Sequence, residues 1–154
     1  MNTPKEHLML KDENVHITVK RPNGYMEEID ASNIFVTEGL QAVANLISGE
    51  ATVSPFKYMQ IGVSSTAPVT TQTALVSEIE STTASIAIGT TNVSNDTINY
   101  TGVFAISTTE AIQEAGLFNN KAGSTTILML ARVTFPVINL SNGSQMTIKW
   151  KVVA

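Results

Sequence analysis

The amino-acid sequence predicts a mainly β protein: an antiparallel β-sandwich or barrel of about eight or nine strands with a single amphipathic helix packed against it. Three observations carry this expectation. Apolar and polar residues alternate in several short segments, most cleanly in QMTIKWKVV at 145–153. Turn signals recur at short intervals, among them RPNG at 21–24 and Asn142-Gly143. Only 37–48 carries a strong helical period. No internal repeat is visible, which argues against solenoids and propellers.

The elements follow in order. Residues 1–14 are polar apart from Leu8, Met9 and Leu10 and read as an N-terminal arm, leaving 15–154 as one β-rich domain. VHITVK (15–20) alternates Val15, Ile17 and Val19 with polar neighbours. RPNG then turns the chain into a second strand from Tyr25 to Ile29. After a short extended piece at 33–36, Thr37 has the chemistry of a helix N-cap, and Glu38 faces the positive end of the dipole. Leu40, Val43, Ala44 and Ile47 form the apolar stripe of a helix over 37–48, which Ser48-Gly49 stops. The stripe is expected to cap the core rather than to meet a membrane or a partner, because the polar face carries no basic cluster.

Further strands are predicted at 56–63, 84–92, 97–107, 111–118 and 126–135, with 64–73 a loop and 74–79 a single helical turn. Tyr100, Phe104 and Ile106 share one face. Pro136 is expected to end or bend its strand. Asn142-Gly143 supplies a hairpin turn into the last strand, where Met146, Ile148, Trp150 and Val152 face inward and Lys149 and Lys151 outward. The candidate core is Trp150, Ile148, Met146, Phe104 and Leu117.

The 154 residues fit one domain long enough to bury a real core. A formal net charge of -4 argues against a nucleic-acid binder, which would present a basic face. With no cysteine, disulfides, thiol nucleophiles and thiolate metal sites are excluded. No run approaches the roughly 18 apolar residues that cross a membrane. MNTPKEHLMLKDEN lacks the apolar core of a signal peptide, so a cytoplasmic origin is expected.

Candidate chemistry is sparse. The two histidines, His7 in the arm and His16 in a strand, have no G-x-S-x-G serine to activate, and read as solvated residues. Glu27, Glu28 and Asp30, and Glu78 with Glu80, are the carboxylate clusters; Glu27 and Glu28, neighbours on a strand, point to opposite faces, and Glu78 and Glu80 flank Ile79 near a loop, so both clusters read as solvated surface charge. No calcium-loop or phosphate-loop spacing occurs, and no cofactor or metal is expected. Glu114 stands out, because with Gly116 it interrupts the apolar strand of IQEAGLFNN (112–120). If 111–118 pairs with 126–135, the only charge across from it is Arg132. An unpaired buried charge is costly, so the two are expected to form a structural ion pair, with Gly116 marking a bulge or a close backbone approach. A catalytic glutamate would need a second acid or a histidine beside it.

NIFVTEGLQAVANLI (33–47), KYMQIGVSSTAPVTTQTALVSEI (57–79), IQEAGLFNN (112–120) and LARVTFPVINLSNGSQMTIKWKVV (130–153) occur in that order. Together they resemble a family of small structural proteins of tailed-bacteriophage virions. Its pattern runs from a "y-ixxG" strand through a "-L--E" turn and an "EaGLF" strand to an "aRv-F … I-W" C-terminal segment. The resemblance covers most of 33–153, and its motifs are structural. It implies a place in a phage particle, assembled in the bacterial cytoplasm with major capsid or tail proteins as partners.

The expected function is accordingly a capsid-surface decoration protein that acts by subunit packing, with no enzymatic activity and no nucleic-acid or membrane partner. A chain this short, without shaft repeats, favours that position over the alternatives: a tail, collar or baseplate component, or the attachment piece of a fibre. Such proteins work in symmetric sets, commonly trimers, and Leu8, Met9 and Leu10 are expected to reach a neighbouring subunit. A carbohydrate-binding module using Tyr25, Tyr58 or Tyr100 as stacking platforms is the lesser reading, since only nine aromatics serve both core and surface.

Overall fold

A computed structural model describes residues 14–154. Residues 1–13 of the expected arm, with His7 and the Leu8–Leu10 triplet, lie outside the described residues, and Asn14 already belongs to the first strand. The described residues form ten strands and one helix: β1 (Asn14–Lys20), β2 (Met26–Ser32), β3 (Ile34–Phe35), α1 (Thr37–Ser48), β4 (Tyr58–Gly62), β5 (Glu78–Thr83), β6 (Ser85–Gly89), β7 (Thr97–Ala105), β8 (Glu110–Phe118), β9 (Met129–Leu140) and β10 (Gln145–Val153). They build two five-stranded antiparallel sheets, ordered β2-β1-β10-β7-β6 and β3-β9-β8-β4-β5. Neither sheet closes on itself, so the sandwich alternative holds and the barrel does not.

The inner faces follow from period two. Val15, Ile17 and Val19 of β1, Tyr100 and Phe104 of β7, and Met146, Ile148, Trp150 and Val152 of β10 are all buried on the first sheet. They meet Met59, Ile61, Ala115, Leu117, Ala131 and Val133 from the second. All five expected core residues are therefore in place. The β1–β2 hairpin turns at Arg21–Tyr25, where Gly24 takes the left-handed conformation (φ 86) and its N–H donates to the Arg21 carbonyl at 2.9 Å.

Several local expectations are corrected. Asn142-Gly143 does turn the chain, but β9 and β10 lie in different sheets, so the turn is a sheet crossing and not a hairpin. Pro136 neither ends β9 nor leaves it; it sits at a register irregularity, where β8 advances from Ile112 to Glu114 while β9 retreats from Ile138 to Thr134. A proline is tolerated there because a bulge needs no ladder N–H from it. The expected helical turn at 74–79 is absent: the chain is extended, and β5 already begins at Glu78 by pairing with β4. The segment read as one strand at 84–92 is β6 alone, reached from β5 through the buried Ala84.

The helix spans 37–48 as expected, but the N-cap is Val36 and not Thr37, and no side-chain cap bond forms. Neighbouring backbone takes over: Val36 N–H donates to Leu130 O at 3.0 Å and Thr37 N–H to Thr70 O at 2.8 Å. Glu38 is drawn to β9, where its Oε1 accepts the Met129 N–H at 2.9 Å. The buried residues of α1 are Gly39 and Ala42; of the expected stripe, Val43 is half-buried against the core while Leu40, Ala44 and Ile47 are exposed. A Cβ on Gly39 would lie 2.6 Å from the Leu130 and Met129 backbone, so the missing side chain lets helix and strand touch. That contact rotates Leu40 and Ile47 to the surface, with Ile47 66% exposed. At the far end Gly49 (φ 71) closes the helix by donating to Asn45 O.

Candidate functional site

The outer face of the second sheet carries the one buried charge cluster among the described residues. Glu114 in β8 is opposite Gly62 of β4 and Thr134 of β9; Gly116 is opposite Gln60 and Arg132. Residues two apart share a face, so Glu114 and Gly116 point away from the main core with Arg132. Both charged side chains are fully buried. Arg132 donates to Glu114 Oε2 from Nη2 at 2.8 Å and from Nε at 3.0 Å. The expected ion pair is present.

Its role becomes clear from what covers it. The segment 63–77 folds over this face, and its backbone amides converge on the carboxylate. Ser77 N–H donates to Oε1 at 2.8 Å, Val76 N–H to Oε2 at 3.1 Å, and Ser64 N–H to Oε1 at 3.4 Å. Arg132 Nη1 reaches Gln72 Oε1 at 3.0 Å, which also accepts the Val69 N–H at 3.0 Å. One ion pair thus ties both ends and the middle of a loop that has little regular structure of its own. Such satisfaction is what makes a buried charge tolerable.

Glycines make room for it. A Cβ on Gly62 would stand 2.5 Å from Glu114 Oε1. On Gly116 it would stand 2.7 Å from Phe118 Cε2 and 3.0 Å from Leu75 Cδ2. Gly116 is therefore a close-approach point. The bulge lies elsewhere in the strand, around Gln113 and at Leu117/Phe118. Leu75, Phe118, Val36 and Met129 form a second small apolar cluster beneath the loop. The motif elements YMQIG, EAGLF and ARV meet at this one place.

The other candidates are scattered. His16 sits in β1 with Asp30 Oδ1 at 2.8 Å and Glu28 Oε1 at 3.6 Å. The hydrogen bond to Asp30 is the main reason its pKa is raised above 6.5. Glu27 pairs with Arg21, Nη2 to Oε2 at 2.6 Å, on the other face of β2. Glu78 and Glu80 stand on β5, where partial burial raises their pKa values. No group of three or more His, Cys, Asp or Glu that could hold a metal occurs among the described residues. Tyr100 is buried, with its phenol pushed up to about 12 by desolvation, so it is no stacking platform. Tyr25 remains 62% exposed.

Sequence reasoning missed Gln72, the three amide donors and Gly62 as parts of this network. It also missed Asp96, whose carboxylate accepts the N–H groups of Thr91, Asn92 and Val93 at 2.8–2.9 Å and orders the β6–β7 loop. Backbone donors leave no trace in a sequence, and a glutamine within SSTAPVTTQT has no distinguishing pattern.

Fold and site together define a two-sheet antiparallel sandwich whose buried charges hold a loop in place. No family model, no curated protein and no solved structure matches the chain. Among the described residues no helix is long and apolar enough to cross a membrane.

Proposed function

We propose that the chain is a structural subunit of a tailed-bacteriophage virion, placed on the capsid surface as a decoration protein that acts by packing against other subunits. One observation carries the reading. The residues responsible for the family resemblance, Glu114, Gly116 and Arg132 with Gly62 of the preceding strand motif, converge on a single buried network. There they clamp the loop 63–77. The Glu114 carboxylate accepts five N–H groups, from Ser64, Val76, Ser77 and twice from Arg132. A motif spent on holding a surface loop in shape is the motif of a packing module.

The test is binding of the purified protein to empty heads and to isolated tails of the phage that encodes it, read by co-sedimentation. Saturable binding to heads supports decoration. Binding to tails alone would place the chain in the tail, collar or baseplate, and binding to neither would remove it from the particle.

A further inference from the structure

Among the described residues, three of the four sheet edges are protected against pairing with another chain, and one is not. The β2 edge carries Glu28 and Asp30, the β5 edge carries Glu78 and Glu80, and β3 is two residues long. Charges and shortness are the usual means of blunting an edge. The fourth edge is β6, Ser85-Ile86-Ala87-Ile88-Gly89, with no charge and no proline. Its only partner strand among the described residues is β7. Ile86 and Ile88 are 47% and 60% exposed.

Beside this edge the two layers of the sandwich part. A groove of about 410 Å³ opens between α1 and the β6 end of the first sheet. Val43 and Ile47 form one wall, and Ile86, Ile88, Ile98 and Val152 the other. The rotation of α1 imposed by Gly39 is what turns Ile47 toward this opening. An open strand edge flanked by an apolar groove is the surface that receives an added strand: the backbone ladder gives affinity, and the groove takes alternate side chains.

The chain itself contains a segment of that kind. Outside the described residues the arm holds one apolar triplet, Leu8-Met9-Leu10, between polar flanks. On an added strand Leu8 and Leu10 would point to one face and Met9 to the other.

Reach decides which copy supplies it. Val15, Trp150, Tyr100 and Ile86 stand in one row across the first sheet. From β1 to the free side of β6 is four strand spacings, about 19 Å. An extended chain leaving Asn14 covers that in about six residues at roughly 3.3 Å each, and so arrives at Leu8. In its own subunit the triplet would be consumed crossing the strand ends and could not lie along β6. A second copy is free of that restriction.

We propose that the β6 edge and the α1–β6 groove receive Leu8–Leu10 from the N-terminal arm of a second copy of this chain. The proposal deepens the particle-subunit reading and rests on it for its biological setting. Its test needs no particle, so the two can fail separately. Because the chain has no cysteine, single cysteines report cleanly. Met9→Cys and Ala87→Cys proteins, one carrying a mass tag, are mixed and oxidised. A mixed disulfide dimer is the expected product, and Met9→Cys mixed with Thr18→Cys, at the middle of β1, should give at least tenfold less.

Independently, Ile88→Asp should weaken self-association at least tenfold by analytical ultracentrifugation while the circular dichroism is unchanged. Three outcomes would overturn the proposal. They are a double Met9→Cys/Ala87→Cys chain that links only within itself, Ala87→Cys homodimers formed in preference to the mixed product, and self-association indifferent to Ile88→Asp.

Discussion

Replacing Arg132 by Met removes the charge but keeps much of the apolar stem, and the structure sets the size of the effect. Glu114 accepts five N–H groups, two from Arg132 and three from the loop 63–77. Arg132→Met takes away two donors and leaves a carboxylate with no exposed surface and no counter-charge. Breaking one side of a buried pair costs about 3–5 kcal/mol. Glu114→Gln costs a similar amount for a different reason: wherever its amide group points, it sets a donor against donors. In a domain of this size each kcal/mol moves Tm by about 2–4 °C, so each variant should melt about 6–20 °C lower. The double variant should cost less than the sum by at least about 1 kcal/mol, since the second change removes the orphan left by the first. Urea denaturation gives the cycle. Hydrogen exchange at Val76 and Ser77 gives the local reading, in which both singles should lose protection before β8 and β9 do. Additive singles, or unchanged protection at those amides, would refute the clamp.

Gly62→Ala puts a methyl group 2.5 Å from Glu114 Oε1 and should cost about 1–3 kcal/mol, seen as a lower urea midpoint at unchanged slope. The His16 imidazole should titrate above 6.5 by NMR and fall back toward it in Asp30→Asn. Because its folded pKa is raised, the stabilisation is fully present below the ordinary value and disappears as pH rises through the folded one. The pair is more than one-third exposed, so added salt should shrink the effect. Asp96 has the opposite sign. The Val93 amide leads the donors that depress its pKa, so its contribution holds above the ordinary carboxylate range and fades only in strong acid. Asp96→Ala should accelerate exchange in the β6–β7 loop and leave β8 and β9 unchanged.

The strands with strict alternation were legible because period two fixes their inner face wherever one side is buried. Met146 to Val152 is the plainest case. The Glu114–Arg132 pair was legible for an energetic reason, since two opposite charges in apolar strands have few other places to go. The orientation of α1 was not. A hydrophobic stripe says which face is greasy, while the contact was decided by the one face thin enough, at Gly39, to touch backbone. Asn142-Gly143 signals a turn, but no local signal separates a hairpin from a crossing between sheets. β5 was hidden because Glu78–Thr83 owes its extended state to its ladder with β4, with no apolar alternation of its own.

Gold labelling of intact particles with an antibody against this chain, viewed in negative stain, locates the subunit on the particle. Label distributed over the head surface is the expected result. Label confined to the tail would contradict the capsid position, and particles without label would contradict the virion role itself.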